Sequence, residues 1–125
     1  MALFAKKSIF PWIQLTSQEQ LNEFLILEKP ILIFKHSTRC SISSMVLSQF
    51  ENDFLNEVIG ETNLESKVNL LFLDLIKYRD LSNKIAVDFN VIHQSPQLIV
   101  IQNNIILHHA SHEKISVQKI IPFIS

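Results

Sequence analysis

At 125 residues the chain has the length of one domain, 1–125, able to bury about two thirds of its surface on folding. A formal net charge of −1 with no run of Lys or Arg argues against nucleic acid as a partner, and a single glycine, Gly60, excludes Gly-rich phosphate loops. One cysteine allows no internal disulfide; with no signal-like apolar core in 1–13 and no window near the roughly 18 apolar residues of a membrane span, the expected setting is a reducing cytoplasm without a membrane partner.

Residues 1–11 lack a clear period, end at Pro11 and read as a peripheral segment. Trp12-Ile13-Gln14-Leu15 alternates weakly and predicts a short strand. Thr16 or Ser17 then caps a helix, with Glu19 or Gln20 as the capping-box partner and Leu21, Phe24, Leu25 and Leu27 as its apolar face. After Pro30, the run Ile31-Leu32-Ile33-Phe34 suits a strand buried on both faces. The spacing of Ile42, Met45, Val46, Phe50, Phe54 and Leu55 predicts one stripe of a helix running to about Val58. A polar connection, 61–67, leads to a second apolar run, 68–76, again a buried strand. Leu81, Ile85, Ala86 and Phe89 mark a helix over 78–90. Two β-rich runs, 98–101 and 105–109, flank Asn103-Asn104, and asparagine is the non-glycine residue that best tolerates a left-handed hairpin turn. Val117, Ile120, Ile121 and Ile124 close the chain on a helix over 116–124, weakened by Pro122.

The only thiol, Cys40, falls where the strand ending in Phe34-Lys35 gives way to the long helix. A sulfur at a helix N-cap lies beside unpaired backbone N–H groups and the positive end of the helix dipole, which favour the ionised form. Arg39 next to it, with Lys35 and His36 on the approach, adds positive potential in the same sense. An ordinary cysteine is only about 3% ionised at pH 7, and the thiolate is the nucleophile. The competing reading is an inert, buried cysteine; its setting among Ser, Thr and Arg favours the reactive one. Ser43 stands three residues on, where a dithiol enzyme keeps a resolving cysteine, so a second thiol must come from solution. Its hydroxyl is a candidate donor to the sulfur.

Strand, helix, strand, helix, strand, helix, hairpin, helix is an α/β order, with parallel pairs from the crossovers and an antiparallel pair from the hairpin. That order, with a cysteine after a buried strand and Ser95-Pro96 before the hairpin, resembles the thioredoxin-like fold, a central mixed sheet of about four to five strands flanked by helices. More narrowly, Phe34-Lys35-His36-Ser37-Thr38-Arg39-Cys40-Ser41-Ile42-Ser43, Tyr78-Arg79-Asp80-Leu81-Ser82-Asn83, His93-Gln94-Ser95-Pro96-Gln97 and Ala110-Ser111-His112 resemble, in order, four blocks of the monothiol bacilliredoxins of the YtxJ type. Ser41 departs from the family's proline, a residue whose fixed φ suits the first helical position.

The resemblance implies a thiol–disulfide oxidoreductase whose Cys40 takes a low-molecular-weight thiol, bacillithiol or similar, from S-thiolated client proteins. That thiol would be a co-substrate, with no tightly bound cofactor and no metal. Pro96 would match the fold's cis-proline beside the cysteine loop, and the Ser95 backbone would meet the peptide-like part of a bound thiol. Thr38, Arg39, Ser41 and Ser43 are the remaining candidates for stabilising the thiolate or binding substrate, Arg39 because its fork suits carboxylates. His36 and His93 either approach the sulfur or bond locally, with local roles favoured. His108 and His109 are consecutive on a strand and so point to opposite faces, which with His112 makes a poor metal set. Two other readings stand beside the enzyme: an iron–sulfur carrier of the monothiol-glutaredoxin type and a non-catalytic binding module.

Overall fold

Pro30 and Pro96 each immediately precede a strand in the computed structural model, which describes residues 10–60 and 64–124. A residue without an N–H is tolerated at a strand's entry. The strands are β1 (Ile13–Gln14), β2 (Ile31–His36), β3 (Asn69–Asp74), β4 (Gln97–Gln102) and β5 (Ile105–Ser111), in the spatial order β1-β3-β2-β4-β5. β1 and β2 run parallel to β3, whereas β4 is antiparallel to both β2 and β5. The helices are α1 (Gln18–Leu25), α2 (Ser41–Gly60), α3 (Arg79–Phe89) and α4 (Val117–Ile124), with short 3-10 turns at Leu64–Lys67 and His112–Lys114.

The local signals act as chemistry requires. Ser17 Oγ accepts the Gln20 N–H at 3.1 Å, and Gln20 Oε1 accepts the Thr16 N–H at 2.8 Å, closing a capping arrangement at α1. Asn90 ends α3 in the left-handed region at φ 55°, and its N–H returns to the carbonyls of Ala86 and Val87. Asn103 and Asn104, at φ 56° and 62°, make the hairpin turn between β4 and β5.

Every residue of β2 is buried, because the alternating side chains serve two cores. Leu32 and Phe34 pack with Phe50 and Phe54 of α2, Leu98 and Val100 of β4, and Ile120 of α4. Ile31 and Ile33 pack on the other side with Leu21 of α1, Leu71, Leu73, Ile85 of α3, and Ile99. Six rings, Phe10, Trp12, Phe34, Phe50, Phe54 and Phe72, join in a chain with centroids 4.9–6.1 Å apart.

Several expectations need correction. Ile42, Met45 and Leu55 are exposed; the stripe α2 turns inward is Ser43, Val46, Leu47, Phe50 and Phe54. Steps of three and four fit either stripe, and a serine inside the buried one hides it from a hydrophobicity reading. Leu27 lies beyond α1 and is exposed, Leu81 and Phe89 are only half-buried, and the 68–76 run forms a strand only over Asn69–Asp74. In the polar connection, 64–67 form a 3-10 turn, and 61–63 lie outside the described residues. So do 1–9 of the segment read as peripheral, but Phe10 is buried in the aromatic core.

Candidate functional site

β2 and β3 run parallel and end together, His36 opposite Asp74, so the chain leaving β2 emerges at the sheet's C-terminal edge. There Ser37–Cys40 turns back, the Cys40 N–H donating to the Ser37 carbonyl at 3.2 Å. The Cys40 carbonyl accepts the Ser44 N–H at 3.1 Å, the first bond of α2, which makes Cys40 the N-cap. The N–H groups of Ser41, Ile42 and Ser43 precede that first bond and surround the start of the helix. Cys40 is half-buried, Thr38 and Arg39 are exposed beside it, and Ser41 is the first, exposed residue of α2.

The second wall comes from the entry to β4. Lys35 pairs with Gln97, so one step along the same ladder lies Pro96 opposite His36, at the edge from which the cysteine loop leaves. The Ser95–Pro96 bond is cis. Pro96 is buried, and its carbonyl accepts the N–H of His112 at 3.2 Å, where the chain leaves β5 with φ 55°. Ser95 is half-buried, its hydroxyl oxygen enclosed and unpartnered among the described residues. Fold topology therefore brings the thiol, the proline segment and His112 to one edge from three separate blocks of sequence.

The polar side chains divide between the two faces of β2. His36 lies on the α2 face, where its Nδ1 is 2.7 Å from Ser43 Oγ. That hydroxyl also accepts the Ser37 N–H at 3.2 Å, and the sense of its bond to Nδ1 follows the ring's tautomer. Burial pushes the His36 pKa down, against a partial upward pull from Asp74. Asp74 Oδ1 accepts the Ile76 and Lys77 N–H groups at 3.0 and 3.3 Å. The hydroxyl of Ser43 thus meets His36 and the backbone of Ser37.

Lys35 points the other way, toward α3. Its Nζ donates to the Ser82 carbonyl at 3.2 Å and lies 3.5 Å from His93 Nδ1, which also meets Ser82 Oγ at 3.2 Å. Burial lowers the Lys35 pKa to about 8. The His93 pKa is lowered by burial and then by the charges of Lys35 and Arg79. Lys35 is therefore not on the approach to the sulfur, and His93 bonds locally. Strand alternation could have shown the first point, because adjacent residues face opposite ways. Ser82 was assigned no role by sequence reasoning, although a serine at the head of the Ser82, Ile85, Phe89 stripe is the mark of a buried polar contact. Among the described residues no three His, Cys, Asp or Glu side chains gather as a metal would require. His108 stacks on Phe123, whereas His109 is exposed. No described helix is long and apolar enough to cross a membrane.

A mixed sheet in this order, with a helix-capping cysteine and a cis-proline at one edge, defines a thioredoxin-fold thiol oxidoreductase. Solved structures agree. One described as a candidate oxidoreductase with a thioredoxin fold matches at 28% identity and TM-score 0.73, over 90% of this chain and 92% of its own. The thioredoxin of Malassezia sympodialis matches at 17% and 0.67, over 92% and 90%; that of Trypanosoma brucei brucei at 14% and 0.64, over 85% and 83%. These last two are similar in fold alone. The model of the monothiol bacilliredoxin family BrxC matches residues 13–120, and the chain belongs to that family.

Proposed function

We propose that the protein is a cytoplasmic monothiol oxidoreductase that removes bacillithiol, or a similar small thiol, from mixed disulfides on client proteins. The Cys40 thiolate attacks the small thiol's sulfur; the new Cys40 disulfide forms as the client's disulfide breaks, and the client thiolate leaves and takes a proton from water. A second small thiol, as thiolate, then attacks that sulfur in turn, regenerating the Cys40 thiolate and releasing a symmetric disulfide. The small thiol is a co-substrate, and no tightly bound cofactor takes part.

One observation carries this reading: Cys40, a half-buried residue, caps a helix while the position three residues on holds a serine whose hydroxyl meets His36 and the Ser37 N–H. The first supplies a nucleophile on a residue that is not sealed in the core; the second leaves no internal thiol to resolve the intermediate. In this reading the Ser95–Pro96 segment, at the same sheet edge, meets the bound thiol, and the exposed Thr38, Arg39 and Ser41 flank the sulfur in the chain. The test is release of bacillithiol from a bacillithiolated client, followed by mass. Wild-type protein restores the client, and Cys40→Ala and Cys40→Ser do not; full turnover by either variant rules out Cys40 as the nucleophile.

A further inference from the structure

The group that the exchange chemistry leaves unused is Lys35. It is fully buried, on the sheet face opposite α2, and no carboxylate pairs with it among the described residues. A buried cation without a counter-charge is costly, and an apolar side chain of similar length would serve packing better. Its contacts show what it does instead. In register between Leu73 and Gln97, it reaches across to the Ser82 carbonyl of α3 and to His93 Nδ1. The ammonium and the Ser82 hydroxyl both meet that ring nitrogen, at 3.5 and 3.2 Å. His93 stands two residues before Ser95, in the segment 91–96 that ends in the cis bond. The same segment is held by Gln97 Nε2, which donates to the Ile92 carbonyl at 2.9 Å, and by the Val91 N–H on the Ala86 carbonyl at 3.0 Å. Among the described residues, the side-chain polar contact that links this segment to β2, the strand whose end delivers Cys40, is that of Lys35 with His93, beside the apolar packing of Val91 on Ile31 and Ile33.

We propose that Lys35 is a positioning residue for the thiol exchange, its ammonium tying the Ser95–Pro96 segment through Ser82 and His93 to the strand that leads into the Cys40 loop. The inference rests on the proposed function, since it assigns the segment as the wall against which the mixed disulfide lies. It acts on the fit of the substrate and not on the sulfur. Lys35→Met keeps the length and removes the donor. With a bacillithiolated peptide as substrate, this variant raises KM about tenfold while kcat stays within about twofold, the pattern of lost substrate positioning. Alkylation of Cys40 by iodoacetamide, a small neutral probe that needs no wall, keeps its rate. Ser82→Ala, which deletes only the hydroxyl contact to His93, moves KM in the same direction by a smaller factor, and covers the case in which Lys35→Met does not fold. Amide exchange at 92–95 quickens in both variants. An unchanged KM in the folded variants overturns the proposal, as does alkylation slowing in step with turnover, which would put Lys35 at the sulfur. If the wild-type protein does not turn over the peptide, the proposed function fails, and unchanged amide exchange at 92–95 in Lys35→Met then overturns the positioning role as well.

Discussion

Ser43 shows how one side chain replaces a chemical function with a structural one. At the place where a dithiol enzyme resolves its own disulfide, a buried hydroxyl bridges the His36 ring and the Ser37 backbone, fastening the first turn of α2 to the end of β2. Ser43→Ala leaves two polar groups without their partner in a water-poor place, and unfolding in denaturant should register a loss of about 1–3 kcal/mol. A change within a few tenths would mean that the bridge is not formed in solution. The cysteine and the serine after it were plain from the sequence. Where the serine's hydrogen bonds go was not, because spacing says that residues three apart share a helix face but not whether a residue from a neighbouring strand also meets the hydroxyl. The same limit applies to His36 and Lys35: adjacent in sequence, they serve opposite faces, and only their strand partners show which one adjoins α2.

The long helix carries the site at one end and the core along its length. Its anchoring residues, Phe50 and Phe54, come about three and four turns after Cys40, so the N-terminal turn depends on local bonds and on the residue at its first position. That residue is Ser41, whose N–H lies before the first intrahelical bond. Ser41→Pro supplies a fixed φ that suits this position and costs no bond of the helix; it should stabilise the protein by about 0.4–1 kcal/mol, read from the denaturation midpoint. Destabilisation would show that Cys40 does not have the extended backbone a following proline requires. The existence and order of the helices were legible, but the inward face of α2 was not. Ile42 and Met45 continue the apolar spacing out into solvent, whereas the residue that turns inward beside them is Ser43. Exposed apolar side chains at a site and buried polar ones beside it both run against the periodicity rule, and both occur where the helix adjoins the cysteine loop.

Across the whole molecule, burial of ionisable groups in a five-stranded sheet sets the response to pH. His36, His93 and His108 all have lowered pKa values, with burial the first cause in each. The folded chain therefore takes up protons less readily than the unfolded one, and the stability present above the ordinary histidine value is lost as pH falls below about 6.5. Lys35, lowered to about 8 from 10.5, acts at the other end: between those values the unfolded chain holds the extra proton, so stability rises with pH. Denaturant midpoints from pH 7.5 to 10.5 should climb in wild-type protein and lose that component in Lys35→Met; equal slopes would mean that the ammonium is solvated. The mixed character of the sheet was readable in advance from helix-linked strands and an Asn-Asn hairpin, but its order was not: β4 follows α3 and yet runs antiparallel to β2, against the parallel pair that a helix link implies. The meeting of Cys40, Pro96 and His112 at one edge depends on long-range register; the place of Pro96 was visible only by resemblance, and that of His112 was not visible at all. What that edge does is tested most directly by exposing the protein to bacillithiol disulfide and weighing it intact. A single bacillithiol adduct, mapped to Cys40 and removed by fresh bacillithiol, is the expected result; a chain that gains no mass while its sulfur still reacts with iodoacetamide would contradict the proposed exchange.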